Sequence, residues 1–289
     1  MRLAFLGTPE AAVPTLEALV AAGHDVALVI SQPDRRRGRG SEVSPSPVKA
    51  AALALGLAVS DDLARLNDVD VELAVVVAYG AMIPAALLER TPMLNVHFSL
   101  LPRWRGAAPV ERAILAGDAE TGVGIISLEP TLDTGPLHAE HRTEIGEKTS
   151  SELTAELAQM GAELLVEVLS SAELLDNARP QMGESTYAAK LTPEDFHLSA
   201  ELTAVQALRV VALERAYIKV GARRLRILRA APSDVAVPRG LLHAQDNVVD
   251  LGLSDGSLEL TWVQPEGSRT MGGAAWWAGV RFEGDVEWD

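Results

Sequence analysis

Cysteine is absent from the 289-residue chain, and that absence removes three chemistries: a thiolate nucleophile, Cys-liganded zinc and structural disulfides. It also fits a reducing compartment. Long hydrophobic runs are missing as well. No segment approaches the roughly 18 apolar residues of a membrane span. The start, MRLAFLGTPE, has four consecutive apolar residues before Gly7, where a secretory segment needs about seven or more. We therefore expect a cytoplasmic protein. The first turn, Gly7-Thr8-Pro9-Glu10, carries one glycine where the dinucleotide fingerprint needs three, and the following strand ends in Ser31-Gln32-Pro33 rather than in an acid suited to a ribose. Both features argue against a nicotinamide oxidoreductase. GxxxxGK[ST] and HExxH do not occur, which removes the commonest ATPase and metalloprotease readings.

Cations are in short supply: 25 basic against 40 acidic residues give a net charge of -15. Alone, that argues against a nucleic-acid partner, because phosphate contacts need Lys and Arg. The distribution qualifies it. Arg35, Arg36, Arg37 and Arg39 crowd one short stretch, and Lys219, Arg223, Arg224, Arg226 and Arg229 form a second group. Salt screens charge beyond about 8 Å, so a local basic patch can hold phosphate on an otherwise acidic molecule.

What is present is ample core material, 48% hydrophobic residues against 22% charged, on a chain long enough for two domains at roughly 150 residues each. Arg2 to Leu6, the helical pattern Ala11 to Ala22 closed by Gly23, and Val26 to Ile30 read as strand, helix and strand of a right-handed βαβ unit. Gln32 to Pro47 is a long loop rich in Arg, Gly, Ser and Pro, a kind that is usually functional or disordered. Val48 to Leu55 reads as a helix, and Leu73 to Ala78 as a central parallel strand covered on both faces. Pro84 to Arg90 is a helix, Met93 to His97 a strand, and Ser99 to Pro109 a loop. Gly122 to Leu128 and Leu137 to Arg142 are strands joined by a turn at Asp133, Thr134 and Gly135. Ser150 to Ser171 is a long amphipathic helix capped by Ser, with Glu152 nearby. These elements define a first domain over residues 1–178. A linker over 179–197 has no sustained period. Residues 198–289 hold one helix, Leu202 to Glu214, and short strand-like runs that read as a small β-rich domain.

The residues best suited to chemistry lie at the end of the fourth predicted strand. Asn95 and His97 are two apart, a spacing that points both side chains to one face. An amide beside an imidazole can hydrogen-bond an oxygen that gains negative charge, and losing one such donor typically costs about 3 to 4 kcal/mol. The same pair at a strand end is also a common structural arrangement. Asp133 sits in Leu-Asp-Thr-Gly, a turn that could present its carboxylate or simply let it bond its own backbone. Asn is a poor metal ligand, and only one carboxylate is nearby in sequence, so no metal is expected.

The segment NVHFSLLPRWRGAAPVERAILAGDAETGVGI, the LDTG after it, AYGAMIP before it, and QPDRRRGRG through PSPVK upstream together resemble the methionyl-tRNA formyltransferase family. The similarity covers nearly all of residues 1–178, and TYAAKL (Thr186 to Leu191) matches beyond them. The resemblance implies an α/β fold, a Rossmann-like formyltransferase domain followed by a C-terminal β-barrel of the OB type. It implies a catalytic trio of Asn95, His97 and Asp133, and a folate segment of Ser99, Leu100, Leu101 and Pro102. It also implies a loop bearing Arg35, Arg36, Arg37 and Arg39 that meets the tRNA acceptor end. The donor would be 10-formyltetrahydrofolate and the acceptor methionyl initiator tRNA, on a monomer without a metal. In this scheme the Asn95 amide and a His97 N–H donate to the oxyanion, and Asp133 orients His97 and takes the ammonium proton.

Some positions depart from the family pattern. Phe98 stands where many relatives have Gly, and could narrow the pocket or pack outward. Ser41 and Glu42 replace two lysines, and Ser268-Arg269 replaces a Lys-Lys. The Lys219 to Arg229 group reads equally as RNA-facing barrel strands or as ordinary exposed strand residues. Two alternatives keep the same motifs: a formyltransferase acting on an amino sugar or small ribonucleotide, and a relative that binds tRNA and folate without turnover.

Overall fold

A computed structural model of the chain describes residues 1–36, 43–280, 282 and 284–289. In chain order it begins with β1 (Arg2–Gly7), α1 (Val13–Ala21), β2 (Asp25–Ile30), β3 (Arg35–Arg36), β4 (Val43–Ser44), α2 (Pro47–Ala54), β5 (Val59–Ser60) and β6 (Leu73–Val77). There follow α3 (Ala85–Arg90), β7 (Met93–His97), β8 (Arg105–Gly106), α4 (Pro109–Ala116), β9 (Glu120–Ser127), β10 (Leu137–Glu144), α5 (Ser150–Ser170) and α6 (Ala172–Asp176). Next come β11 (Tyr187–Ala188), α7 (Ala204–Val211), β12 (Tyr217–Val220), β13 (Arg223–Ser233) and β14 (Leu241–Gln245). The chain ends with β15 (Val248–Gly252), β16 (Ser257–Pro265), β17 (Met271–Gly272), α8 (Gly273–Val280) and β18 (Val286–Glu287). It divides into two compact units, one of Met1–Val110, Glu120–Glu144 and Thr154–Ala189, the other of Glu111–Ala119, Ile145–Leu153 and Lys190–Asp289. Residues 179–189 of the segment read as a linker fall in the first unit and 190–197 in the second.

Among the described residues the first unit carries a seven-stranded sheet in the order β10-β9-β7-β6-β1-β2-β5. β1, β2, β5, β6 and β7 run parallel, while β9 is antiparallel to β7 and β10 to β9. Leu3 to Leu6 and Leu73 to Val77 are buried along their whole length, as unbroken apolar strands must be when both sheet faces are covered. Helix boundaries follow from local chemistry. Pro14 lies in the first turn of α1, and Ser46 caps α2 by accepting from Lys49 N–H at 3.0 Å. The strand order reverses at β1, so the C-terminal ends of the parallel strands open on one edge, the usual location of an α/β site. There Thr8 Oγ1 donates to Tyr79 O at 2.8 Å, tying the loop after β1 to the loop after β6.

The long helix α5 has its cap one residue earlier than the sequence suggests. Thr149 Oγ1 accepts from Glu152 N–H at 3.3 Å, and Glu152 Oε2 accepts from Thr149 N–H at 2.9 Å, so the box closes on Thr149 rather than on a serine.

The second unit is an antiparallel barrel in the order β12-β13-β16-β15-β14-β18, with β17 added to β16. Ile218, Leu225, Ile227, Leu242, Leu251 and Leu258 fill it. Asp289 donates its backbone N–H to Lys219 O at 2.9 Å and accepts from Lys219 N–H, which joins the chain end to β12 and nearly closes the barrel. Among the described residues no helix is long and apolar enough to cross a membrane.

Candidate active site

Asn95 and His97 project from one face of β7 at its C-terminal end. Val96 and Phe98 take the other face and meet α5 at Gly161, whose Cβ position would lie 2.6 Å from Val96 Cγ1 and 3.7 Å from Phe98 Cε1. Phe98 thus packs into the core against α5 and leaves the face bearing His97 unencumbered. Across that face β9 places a residue without a side chain, because His97 pairs with Gly124.

Asp133 reaches this face from the turn between β9 and β10, with a left-handed φ of +51°. Its Oδ1 accepts from Asn95 Nδ2 at 3.5 Å, and its Oδ2 accepts from Gly106 N–H at 2.8 Å. The same Oδ2 lies 3.7 Å from His97 Nδ1. Asn95, His97 and Asp133 are 9%, 6% and 6% exposed, so three polar groups converge where water is largely excluded. At 3.7 Å the imidazole is beyond ordinary hydrogen-bond reach. The carboxylate is therefore anchored by the Gly106 amide and merely faced by His97.

The other ring nitrogen is committed. His97 Nε2 stands 2.9 Å from Trp104 O, and a carbonyl oxygen only accepts, so the proton at that position belongs to Nε2. Nδ1 is then the ring atom left to exchange a proton, and Asp133 is the group it faces. A His97 N–H aimed at an oxyanion, as the sequence suggests, does not match this commitment; the Asn95 amide has a second N–H free for that purpose.

Trp104 and Gly106 owe their places to a short parallel pairing of β8 with β11. Trp104 has φ +62°, and its N–H donates to Thr186 Oγ1 at 2.9 Å. Gly106 has φ +118°, and a Cβ there would lie 2.8 Å from both Ala188 O and Tyr187 Cε2. Only glycine fits this approach. These backbone groups, Thr186 and Gln181 are site residues beyond those the sequence pattern points to. A main-chain group carries no residue-type signal, and Gln181 lies outside the motifs that carry the family resemblance.

The remaining candidates are distributed as follows. Ser99 is fully buried and donates through Oγ to Arg103 O at 2.7 Å. Leu101 packs with Ile126 and Leu137, half-buried Leu100 lies over Gly122 of β9, and Pro102 is buried. Ser99, Leu100 and Leu101 fasten the loop after β7 to the sheet. Arg35 and Arg36 are exposed in β3, paired with Ser44 and Val43 of β4. The base of that hairpin is closed by Lys49 Nζ, 2.8 Å from both carboxylate oxygens of Asp34, and by a hydroxyl contact between Ser31 and Ser46. Arg37 and Arg39 lie outside the described residues. Among the described residues no group of three or more His, Asp or Glu side chains is arranged to hold a metal ion.

The family pattern described as "Formyl transferase" matches residues 1–169. A methionyl-tRNA formyltransferase of Novosphingobium aromaticivorans is 44% identical over 286 residues, which cover 94% of each chain. One of Jannaschia sp. is 41% identical over 298 residues, covering 98% of each. Among solved structures, an N-formyltransferase of Helicobacter canadensis, in complex with folinic acid and dTDP-3-aminofucose, superposes with a TM-score of 0.70. It is 16% identical, over 91% of this chain and 98% of that one, a likeness of fold. With the family pattern spanning the unit that carries Asn95, His97 and Asp133, and the curated relatives aligning along nearly the whole length, the chain belongs to the methionyl-tRNA formyltransferase family.

Proposed function

We propose that the chain transfers a formyl group from 10-formyltetrahydrofolate to the α-amino group of methionyl initiator tRNA. The observation that supports this most is the buried convergence of Asn95, His97 and Asp133, with contacts of 3.5 and 3.7 Å to the carboxylate, on a chain 44% identical to a protein named for that activity. An α-amino group has an intrinsic pKa of about 7.7 to 8.0, so a modest base suffices to keep it neutral. The amine attacks the formyl carbon, a new N–C bond forms, and the carbonyl oxygen becomes an oxyanion that accepts from the free N–H of Asn95. The proton shed by the amine passes to the Asp133 and His97 Nδ1 pair. As the bond from carbon to N10 breaks, that proton goes to N10, giving N-formylmethionyl-tRNA and tetrahydrofolate. The loop of Ser99, Leu100, Leu101 and Pro102 borders the donor. No covalent enzyme intermediate is needed.

On the acceptor side, Arg35, Arg36, Arg37 and Arg39 meet the acceptor end, and the barrel adds a second cationic surface. Lys219 pairs with Arg224 and Tyr217 with Arg226 across β12 and β13, and Arg229 lies opposite exposed Trp262 of β16. Arg224 stacks 4.5 Å over the Tyr217 ring. Cations interleaved with aromatic faces suit a nucleic-acid strand, which favours the RNA-facing reading of this group and weighs against a small amino-sugar acceptor.

The test is transfer of labelled formyl from 10-formyltetrahydrofolate to charged initiator tRNA, with a nucleotide-linked amino sugar as the competing acceptor. His97→Ala and Asp133→Asn should each lose about 10²- to 10⁴-fold in kcat. Undiminished turnover in both variants refutes the roles, and formylation of the sugar alone refutes the acceptor.

A further inference from the structure

Asp133 is a non-glycine residue held at φ +51°, and the group that holds its backbone comes from far along the chain. Arg179 exchanges both main-chain hydrogen bonds with Leu137, at 2.8 and 2.9 Å. Two residues further on, this pinned segment delivers Gln181 to the turn. Gln181 Nε2 donates to Asp133 O at 2.8 Å and to Gly135 O at 2.9 Å. Its Oε1 accepts from Arg105 Nε at 3.1 Å and from Nη2 at 2.6 Å. Both amide hydrogens and the amide oxygen are used, and the partners leave no freedom to exchange O for N, since two carbonyls face one end and a guanidinium the other.

Arg105 is also the neighbour of Gly106, whose N–H holds Asp133 Oδ2 at 2.8 Å. One dipeptide thus grips the carboxylate directly and, through Gln181, the carbonyl of the same residue. Thr134 Oγ1 donates to Thr131 O and Glu129 Oε2, bonds that stay on the turn, while the side-chain bond from β7, Asn95 Nδ2 to Asp133 Oδ1, is long at 3.5 Å and touches the carboxylate rather than the backbone.

We infer that Gln181 is a positioning residue for formyl transfer, acting through Asp133 by locking its left-handed turn against Arg105. The inference rests on the formyl-transfer reading above. Its test uses the full chain with Gln181→Met, which removes both donors at similar length, and Gln181→Glu, which keeps the Arg105 contact and sets an acceptor in place of the donors against the two carbonyls. Each is made alone and with Asp133→Asn, and is read by single-turnover formylation of charged initiator tRNA with labelled 10-formyltetrahydrofolate. A misplacement of about 1 Å can cost 10²-fold, so both variants should lose about 10- to 100-fold in kcat, with KM for either substrate within about threefold.

In the Asp133→Asn background, where there is no carboxylate to place, the further loss should be under about twofold. If Gln181→Met does not fold, Gln181→Glu carries the same expectation, since its ion pair still anchors the segment. Wild-type-like kcat in the folded variants, or losses that multiply with that of Asp133→Asn, overturn the inference while leaving formyl transfer standing. A wild-type chain that forms no product overturns both.

Discussion

Replacing Gly135 by alanine tests the placement of Asp133 with a single methyl group. An ideal Cβ at Gly135 would lie 1.8 Å from Ser127 O and 2.9 Å from Ser127 C, main-chain atoms of β9 rather than the yielding end of a side chain. Ser127 cannot retreat easily, because its N–H donates to Pro136 O at 3.0 Å and the next N–H donates to Met93 O at 2.8 Å. Reaching even a tight contact of about 3.0 Å requires the turn to shift by about 1.2 Å, and a packed interior relieves such overlap at about 1–3 kcal/mol. The same shift stretches the Gln181 contacts to Asp133 O and Gly135 O, which contribute about 1 kcal/mol each.

The total, about 2–5 kcal/mol, corresponds to a fall in Tm of roughly 5–15 °C for a domain of this size. Turnover should fall about 10²-fold as Asp133 moves from its partners. Thermal melting followed by circular dichroism, together with initial rates of labelled formyl transfer, measures both. Gly256→Ala, where a Cβ meets nothing within 4 Å, is the control and should be neutral. An alanine variant at Gly135 that melts within about 2 °C of wild type at full kcat would refute the claim that this turn is rigidly seated.

Arg35→Glu with Arg36→Glu should raise KM for tRNA several-fold, leave KM for the folate donor unchanged and flatten the salt dependence of tRNA binding by about 1.4 to 1.8 units of slope; an unchanged slope removes these exposed residues from the RNA contact. The hydrogen bond from His243 Nδ1 to Asp285, 2.7 Å long, holds the imidazole above its ordinary value of 6.5. Its small stabilisation is therefore complete below about pH 6.5 and disappears as pH rises through the raised value. Asp285→Asn should bring the NMR titration of His243 back toward 6.5, and an unmoved titration would exclude the pair as the cause. Trp288, 6% exposed, donates Nε1–H to Leu241 O at 3.2 Å where β18 meets β14. Trp288→Ala should cost about 3–5 kcal/mol in chemical denaturation, and a loss below about 1 kcal/mol would show that the chain end does not hold the barrel together.

The parallel sheet was legible because a run such as Leu73 to Ala78 has no polar face to spare, and the β7 pair was legible because Asn95 and His97 are an even number of residues apart. The turn joining β9 and β10 was legible at Asp133, Thr134 and Gly135, but the antiparallel run of β9 against β7 was not, since alternation fixes a strand but not its direction. α4 carries Val110, Ala113 and Ile114 at helical spacing after Pro109, a readable signal obscured by the loop that precedes it. α8 has the sequence GAAWWAGV, apolar on every side, and in a β-rich neighbourhood periodicity does not separate it from a strand. The meeting of Asp133 with His97, 36 residues away in sequence, could not come from spacing. It entered through the family resemblance, and the geometry that makes it specific is written in backbone atoms.

In that backbone local preference is overridden. Trp104 and Asp133 both take left-handed angles, +62° and +51°, at a cost of roughly 1–2 kcal/mol each for a residue with a Cβ. Each is offset by contacts that only this conformation makes. For Trp104 these are the N–H to Thr186 Oγ1 and the carbonyl accepting from His97 Nε2, both at 2.9 Å. For Asp133 they are the carbonyl accepting from Gln181 and Oδ2 accepting from Gly106, both at 2.8 Å. Four hydrogen bonds at about 1 kcal/mol apiece roughly balance the strain, so the arrangement adds little net stability and its value lies in orientation. The Trp104 carbonyl fixes which ring nitrogen of His97 holds a proton, and the Gly106 amide fixes which oxygen of Asp133 faces the other. With both choices made before any substrate arrives, the proposed transfer of a proton from the attacking amine requires no reorganisation of these groups.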